Sequence, residues 1–195
     1  MSKKEIIWRE ILFQALESHK FEFTQKELAE KYRFSLSTVF NALKIPRSQG
    51  AIKVSGRDFK VVDAEKFLYI WATQRNFEKN IIYETSVSAS VKEIEGMTPD
   101  GVTFACYSAY VKKYGEVPAD YDKVYIYASK ESLESVKKRF PEKKGHINLI
   151  VLESDIYLKN FGIFPPDAQT FADFWNLSDW YAKDYLSALK QKMFK

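Results

Sequence analysis

The chain has 195 residues, 46% hydrophobic and 29% charged, with 15 Phe, 12 Tyr and 4 Trp; this is ample material for one large or two small packed cores, and it excludes a disordered chain. A single cysteine, Cys106, excludes an internal disulfide, and two distant histidines, His19 and His146, make no metal-ligand cluster. The net charge of +4 is uneven: residues 1–77 carry 14 Lys/Arg against 9 Asp/Glu, and residues 31–60 carry seven basic residues against one acid, Asp58.

In chain order, Ile7, Trp8, Ile11, Leu12, Ala15 and Leu16 recur at helical spacing and predict an amphipathic helix over about 4–18. "HKFEF" interrupts it. Thr24 and Glu27 have the capping-box spacing, so a second helix starts there with Leu28, Ala29 and Tyr32 on its buried side. Ser35 is the expected N-cap of a third helix, whose stripe Leu36, Val39, Phe40 and Leu43 is expected to be core and which Pro46 is expected to end. "AIKV" and "FKVV" around Ser55-Gly56-Arg57 read as a β-hairpin, and residues 63–77 as a fourth helix.

Beyond a soft boundary near residue 78 the pattern is mixed. "IIYET" reads as a strand, "GVTFACYSAYVKKYG" as a small-residue helix ending at Gly115, and "DKVYIYAS" as a strand. A helix "ESLESVKKRF", a strand "HINLIVLE" and a helical end from about 167 to 193, broken near Leu177-Ser178, complete it. The expected fold is α+β. A winged helix-turn-helix domain over 1–78 precedes a mixed α/β domain over 79–195.

On the third helix Ser37, Asn41 and Lys44 recur at i, i+4 and i+7 beside Thr38, opposite the apolar stripe. Such side chains suit a major groove: Asn pairs with adenine, hydroxyls bond base edges or phosphates, and Lys reaches guanine or phosphate. The recognition helix, also DNA-binding at its first residue Ser35, would be positioned on phosphates by Arg33, Arg47 and the hairpin residues Lys53, Arg57 and Lys60. The partner so implied is double-stranded DNA, and a homodimer is expected because one such module reads few base pairs.

Catalytic signals are weak. Asp120-Tyr121-Asp122 precedes a strand but lacks the Gly-Ser loop of nucleotidyltransferases, and reads as two acids on a surface loop. Cys106 reads as core, and Trp175, Trp180, Tyr181 and Tyr185 as buried helix-packing aromatics. No Walker loop or dinucleotide fingerprint occurs, so neither an enzyme nor a cofactor is expected. Apolar runs fall far short of the roughly 20 residues that span a bilayer, and the start lacks a signal peptide's apolar stretch, so a cytoplasmic protein is expected.

The N-terminal module, the pair "GVTFACYSAYVKKYG" and "KVYIYAS", and "PPDAQTFADFWNLSDWYAKDYLSAL" with Pro166, Gln169, Asp173 and Leu177 resemble winged-helix regulators of the AbiEi antitoxin type, of type IV toxin–antitoxin systems, and their archaeal relatives. The resemblance implies an autorepressor whose C-terminal domain counters a nucleotidyltransferase-like toxin. "FWNLSDWY" is more aromatic than that family's usual end. Two other readings stay open: a protein-interaction module with weak or no DNA binding, and a nucleotidyltransferase-related enzyme using Asp120 or Asp122.

Overall fold

The computed structural model describes residues 1–194, an α+β fold in which the described residues form nine α-helices and two small sheets. They fall into two units. The first is Met1–Arg75 with Pro166–Ala172, and the second is Asn76–Pro165 with the residues from Asp173 onward.

In the first unit, α1 (Lys3–Glu17) starts at Ser2, which forms a reciprocal capping box with Glu5. Its buried Ile7, Trp8, Ile11 and Leu12 face α3 (Leu36–Ser48) and α4 (Ala64–Gln74), whose buried Val39, Leu43, Phe67, Leu68 and Trp71 complete the core. Three strands, β1 (Glu22–Thr24), β2 (Ile52–Ser55) and β3 (Asp58–Val61), form an antiparallel sheet in the order β1-β3-β2. β1 arises from "HKFEF", which was expected only to interrupt the helices. Phe23 and Phe59, opposite each other in the ladder, stack at 5.3 Å, and this cross-strand pair holds the short strand in place.

Two helix ends differ from expectation. The Thr24 hydroxyl caps α2 (Gln25–Tyr32) by accepting from Glu27 N–H at 3.0 Å, but the reciprocal bond is absent because the Glu27 carboxylate takes Lys20 Nζ at 3.0 Å instead. Pro46 does not end α3 but lies within it. Proline brings no N–H, so the Ala42 carbonyl four residues earlier lacks its helical donor. The indole Nε1 of buried Trp8 donates to that carbonyl at 2.8 Å and removes the penalty.

A buried carboxylate, Glu10, and a partly buried one, Glu5, tie α1 to its neighbours. Glu10 accepts from Tyr32 Oη and Lys31 Nζ, both at 2.5 Å, and from Gln14 Nε2 at 3.1 Å. Glu5 accepts from Arg75 Nη1 at 3.1 Å and from Ser2. Burial alone would raise the Glu5 pKa, but the fully buried Arg75 guanidinium and the Ser2 hydrogen bonds outweigh it and hold it below the ordinary value. A depressed carboxylate stabilises the fold above its unfolded pKa, and the contribution is lost as pH falls through the folded pKa. Glu5→Gln should therefore cost about 3 kcal/mol at pH 7 and make stability less sensitive to acid below pH about 4.5, measured by urea unfolding at pH 7 and pH 3. Equal acid sensitivity in the variant would remove Glu5 from this account.

The segment Pro166–Ala172 belongs to this first unit through side-chain bonds. Arg9 Nη1 donates to Gln169 Oε1 at 3.1 Å, Asp167 N–H donates to Glu17 at 2.9 Å, and Phe171 packs edge-on against Tyr69. Of the positions in the C-terminal sequence pattern, Pro166 and Gln169 thus group with the first unit and Asp173 with the second.

The second unit is built on the sheet β4-β7-β6-β5: β4 (Ile81–Thr85), β5 (Val102–Ala105), β6 (Val124–Ala128) and β7 (Leu149–Glu153). β6 and β7 are parallel, joined by the crossover helix α7 (Lys130–Arg139), and the edge strands are antiparallel. One core joins Val124, Ile126, Leu149 and Val151 to Val136, Phe140 and Ile94, the last from α5 (Val91–Met97), a helix not expected from the sequence. The intervening tyrosines, Tyr125 and Tyr127, are buried as well.

"GVTFACYSAYVKKYG" is two elements, not one helix. Its β-branched start forms β5 against β6, with Thr103 opposite Tyr127, and only Cys106–Tyr114 is helical (α6), closed by Gly115 in the left-handed conformation. The C-terminal helices are α8 (Asp167–Trp175) and α9 (Ala182–Met193), with the break between them where it was expected.

Candidate nucleic-acid interface

α3 is built around its cap. Ser35 Oγ accepts from Thr38 N–H at 3.2 Å and lies 2.9 Å from both Ser37 Oγ and Thr38 Oγ1, so three hydroxyls share a network over the helix start. Val39, Ala42, Leu43 and Pro46 are its buried side. Helical geometry, about 100° per residue, puts Ser37, Asn41, Lys44 and Ser48 opposite that side. All four are exposed, whereas Thr38 is half-buried.

The expected apolar stripe is only half right. Val39 and Leu43 are buried, but Leu36 is 55% exposed and Phe40 47% exposed. The helix carries two overlapping apolar sets, and packing buries the set that includes Ala42 and Pro46. Leu36, Phe40 and Arg47 therefore share one outward flank beside the polar row, where two of the four residues expected in the core stand exposed. Lys44 Nζ lies 5.5 Å from the Phe40 ring centre, within cation–π range.

Arg33 joins α2 to α3. Its φ of 52° is left-handed, and the Arg33 and Phe34 N–H groups close α2 onto the Glu30 and Ala29 carbonyls at 3.2 and 2.9 Å. Glycine is the usual residue there, since a Cβ costs about 1 kcal/mol in this region. Arg33→Gly should raise stability by up to about 1 kcal/mol in thermal or urea unfolding while weakening DNA binding. A variant that gains stability and binds DNA unchanged would show that the guanidinium has no role in binding.

The hairpin has a two-residue turn, with Gly56 at φ 63° as such turns require. Val54 and Phe59 point inward; Lys53 and Lys60 face each other across the outward side, with Glu22 beyond Lys60. Arg57 is at the tip, and its carbonyl accepts from Gln25 N–H at 3.0 Å, anchoring the turn to the start of α2.

Ion pairing thins the basic cluster of residues 31–60. Lys31 is taken by Glu10, and Lys60 is bound to Glu22 at 3.0 Å. Arg33, Lys44, Arg47, Lys53 and Arg57 are exposed and have no ion-pair partner among the described residues. Lys60 is thus the one expected phosphate contact with an ion-pair partner, an exposed one.

Scanned against models of known protein families and against curated proteins, the chain matches none.

In the second unit one of the two aspartates singled out in the sequence, Asp122, is engaged. Asp122 accepts from Tyr181 Oη at 2.5 Å and pairs with His146 Nε2 at 2.6 Å, while Asp120 is exposed. Among the described residues no group of three or more His, Cys, Asp or Glu could hold a metal ion. Asp179, which sequence reasoning passed over, accepts from Tyr107 Oη at 2.9 Å, Tyr125 Oη at 3.0 Å and Lys123 Nζ. Burial first, and the Asp179 carboxylate next, push the Tyr107 phenol far above its ordinary pKa, so it serves as a neutral donor and not a base. Cys106, Tyr181 and Tyr185 are buried as expected, but Trp175 is 43% exposed and Trp180 is 78% exposed. No described helix is long and apolar enough to cross a membrane.

Proposed function

We propose that this protein is a non-enzymatic, DNA-binding transcriptional regulator whose first unit acts as a winged helix-turn-helix, with α3 in the major groove and the β2–β3 hairpin as the wing. The supporting observation is the set of five exposed cations without an ion-pair partner among the described residues: Lys44 and Arg47 on α3, which also presents Ser37 and Asn41, Arg33 just before that helix, and Lys53 and Arg57 on the hairpin. Each of the five is free to neutralise a phosphate and release its condensed counterions, which Lys31, held by the buried Glu10, is not. Ser37 and Asn41 would meet base edges, and Ser35 with Thr38 the phosphate beside the helix N-terminus. The test is titration of random-sequence duplex DNA with the full chain at several salt concentrations. Binding that strengthens as salt falls supports the reading, and no binding at low salt removes it.

For the second unit we propose a protein-partner surface, supported by the outward Trp175 and Trp180, because exposed tryptophan is costly in water and over-represented at binding hot spots. The likeness to AbiEi-type antitoxins makes a nucleotidyltransferase-like toxin the partner to try first, by co-purification with and without Trp180→Ala.

A further inference from the structure

We infer that Leu36 and Phe40 make the outward flank of α3 a reader of thymine methyl groups, so that the preferred duplex carries thymines at the positions they reach. The inference rests on the DNA reading above. Its starting point is a cost the fold does not require. Both side chains stand about half in water, one helical turn apart, although the helix already buries a complete apolar side in Val39, Ala42, Leu43 and Pro46. Neither residue belongs to that buried side, and the half of each that faces water is apolar area a polar side chain would spare.

The major groove offers an apolar partner of one kind only. Of the four bases, thymine alone presents a methyl group there, and each adenine that Asn41 could pair with stands opposite a thymine. Leu36 and Phe40 adjoin the Ser37–Asn41–Lys44 row, so apolar and hydrogen-bonding contacts would fall on neighbouring base pairs. Lys44, held over the Phe40 ring at 5.5 Å, brings a cation to the same place and favours a polyanion over an apolar protein groove as occupant.

The experiment uses the full-length chain. Duplexes are enriched from a random library by repeated binding, and the enriched sequence is then made with thymine or with deoxyuracil, which differ by the C5-methyl group alone. Wild-type protein should lose about 4-fold in affinity for each contacted methyl removed, whereas Leu36→Ala/Phe40→Ala should bind the two duplexes alike. Both substitutions are at exposed positions, and a matching thermal midpoint checks that the fold is kept. Equal affinity of wild type for the two duplexes overturns the inference and leaves the DNA reading standing. An equal loss in wild type and variant overturns it too, since other residues would then read the methyls and Leu36 and Phe40 would be free for a protein partner. Failure to enrich any duplex overturns the DNA reading itself, and this inference with it.

Discussion

Replacing Lys44, Arg47 and Arg57 together by alanine should flatten the slope of log affinity against log salt by about 2.7 and weaken duplex binding about 100-fold at 0.15 M salt. Each cation that neutralises a phosphate releases condensed counterions and contributes about 0.9 to the slope. The effect vanishes near 1 M salt and grows as salt is lowered, so affinity curves of wild type and variant should converge at high salt. The three residues have no ion-pair partner among the described residues, so their removal breaks no salt bridge and the fold should keep its stability. Lys60→Ala is the internal control: with Glu22 bound to Lys60, its removal should change the slope by much less than 0.9. An unchanged slope in the triple variant would take α3 and the hairpin tip out of the interface.

Trp8→Phe should destabilise the first unit by about 3 kcal/mol, and Pro46→Ala in the same chain should return about 1 kcal/mol of it. Trp8 is fully buried, and its indole N–H is the donor for the Ala42 carbonyl. Phenylalanine fills most of the volume but leaves that buried carbonyl without a partner, a penalty of about 1–3 kcal/mol. An alanine at position 46 restores the backbone N–H that proline lacks, aimed back at the same carbonyl. Urea unfolding of wild type, both single variants and the double variant gives the coupling. Strict additivity would mean that the indole fills space at this site and does not replace a missing helical bond.

Local signals in the sequence located most elements. Ser35 and the periodicity after it found α3, Gly56 found the hairpin turn, and the β-branched and aromatic alternation found β6. They failed where a choice depended on distant residues. "GVTFACYS" is compatible with helix until the neighbouring strand supplies ladder partners for Val102–Ala105. Leu36 and Phe40 fit a helical stripe as well as Ala42 and Pro46 do, and packing on α1 selects the second pair. Trp175 and Trp180 look like core by composition, yet remain outside because tyrosines and Phe174 fill the interior around Tyr107.

The sequence by itself determined the α+β class, the positive half of the molecule and the helix carrying Ser37, Asn41 and Lys44. These depend on composition and on spacings of a few residues, which local backbone geometry converts directly into structure. Tertiary structure alone decided which cations keep their charge exposed and which apolar residues do. Lys31 lies 21 residues from Glu10, and Lys60 lies 38 from Glu22. Separations of that length leave no periodic trace in a chain; only the packing that brings the partners together reveals them.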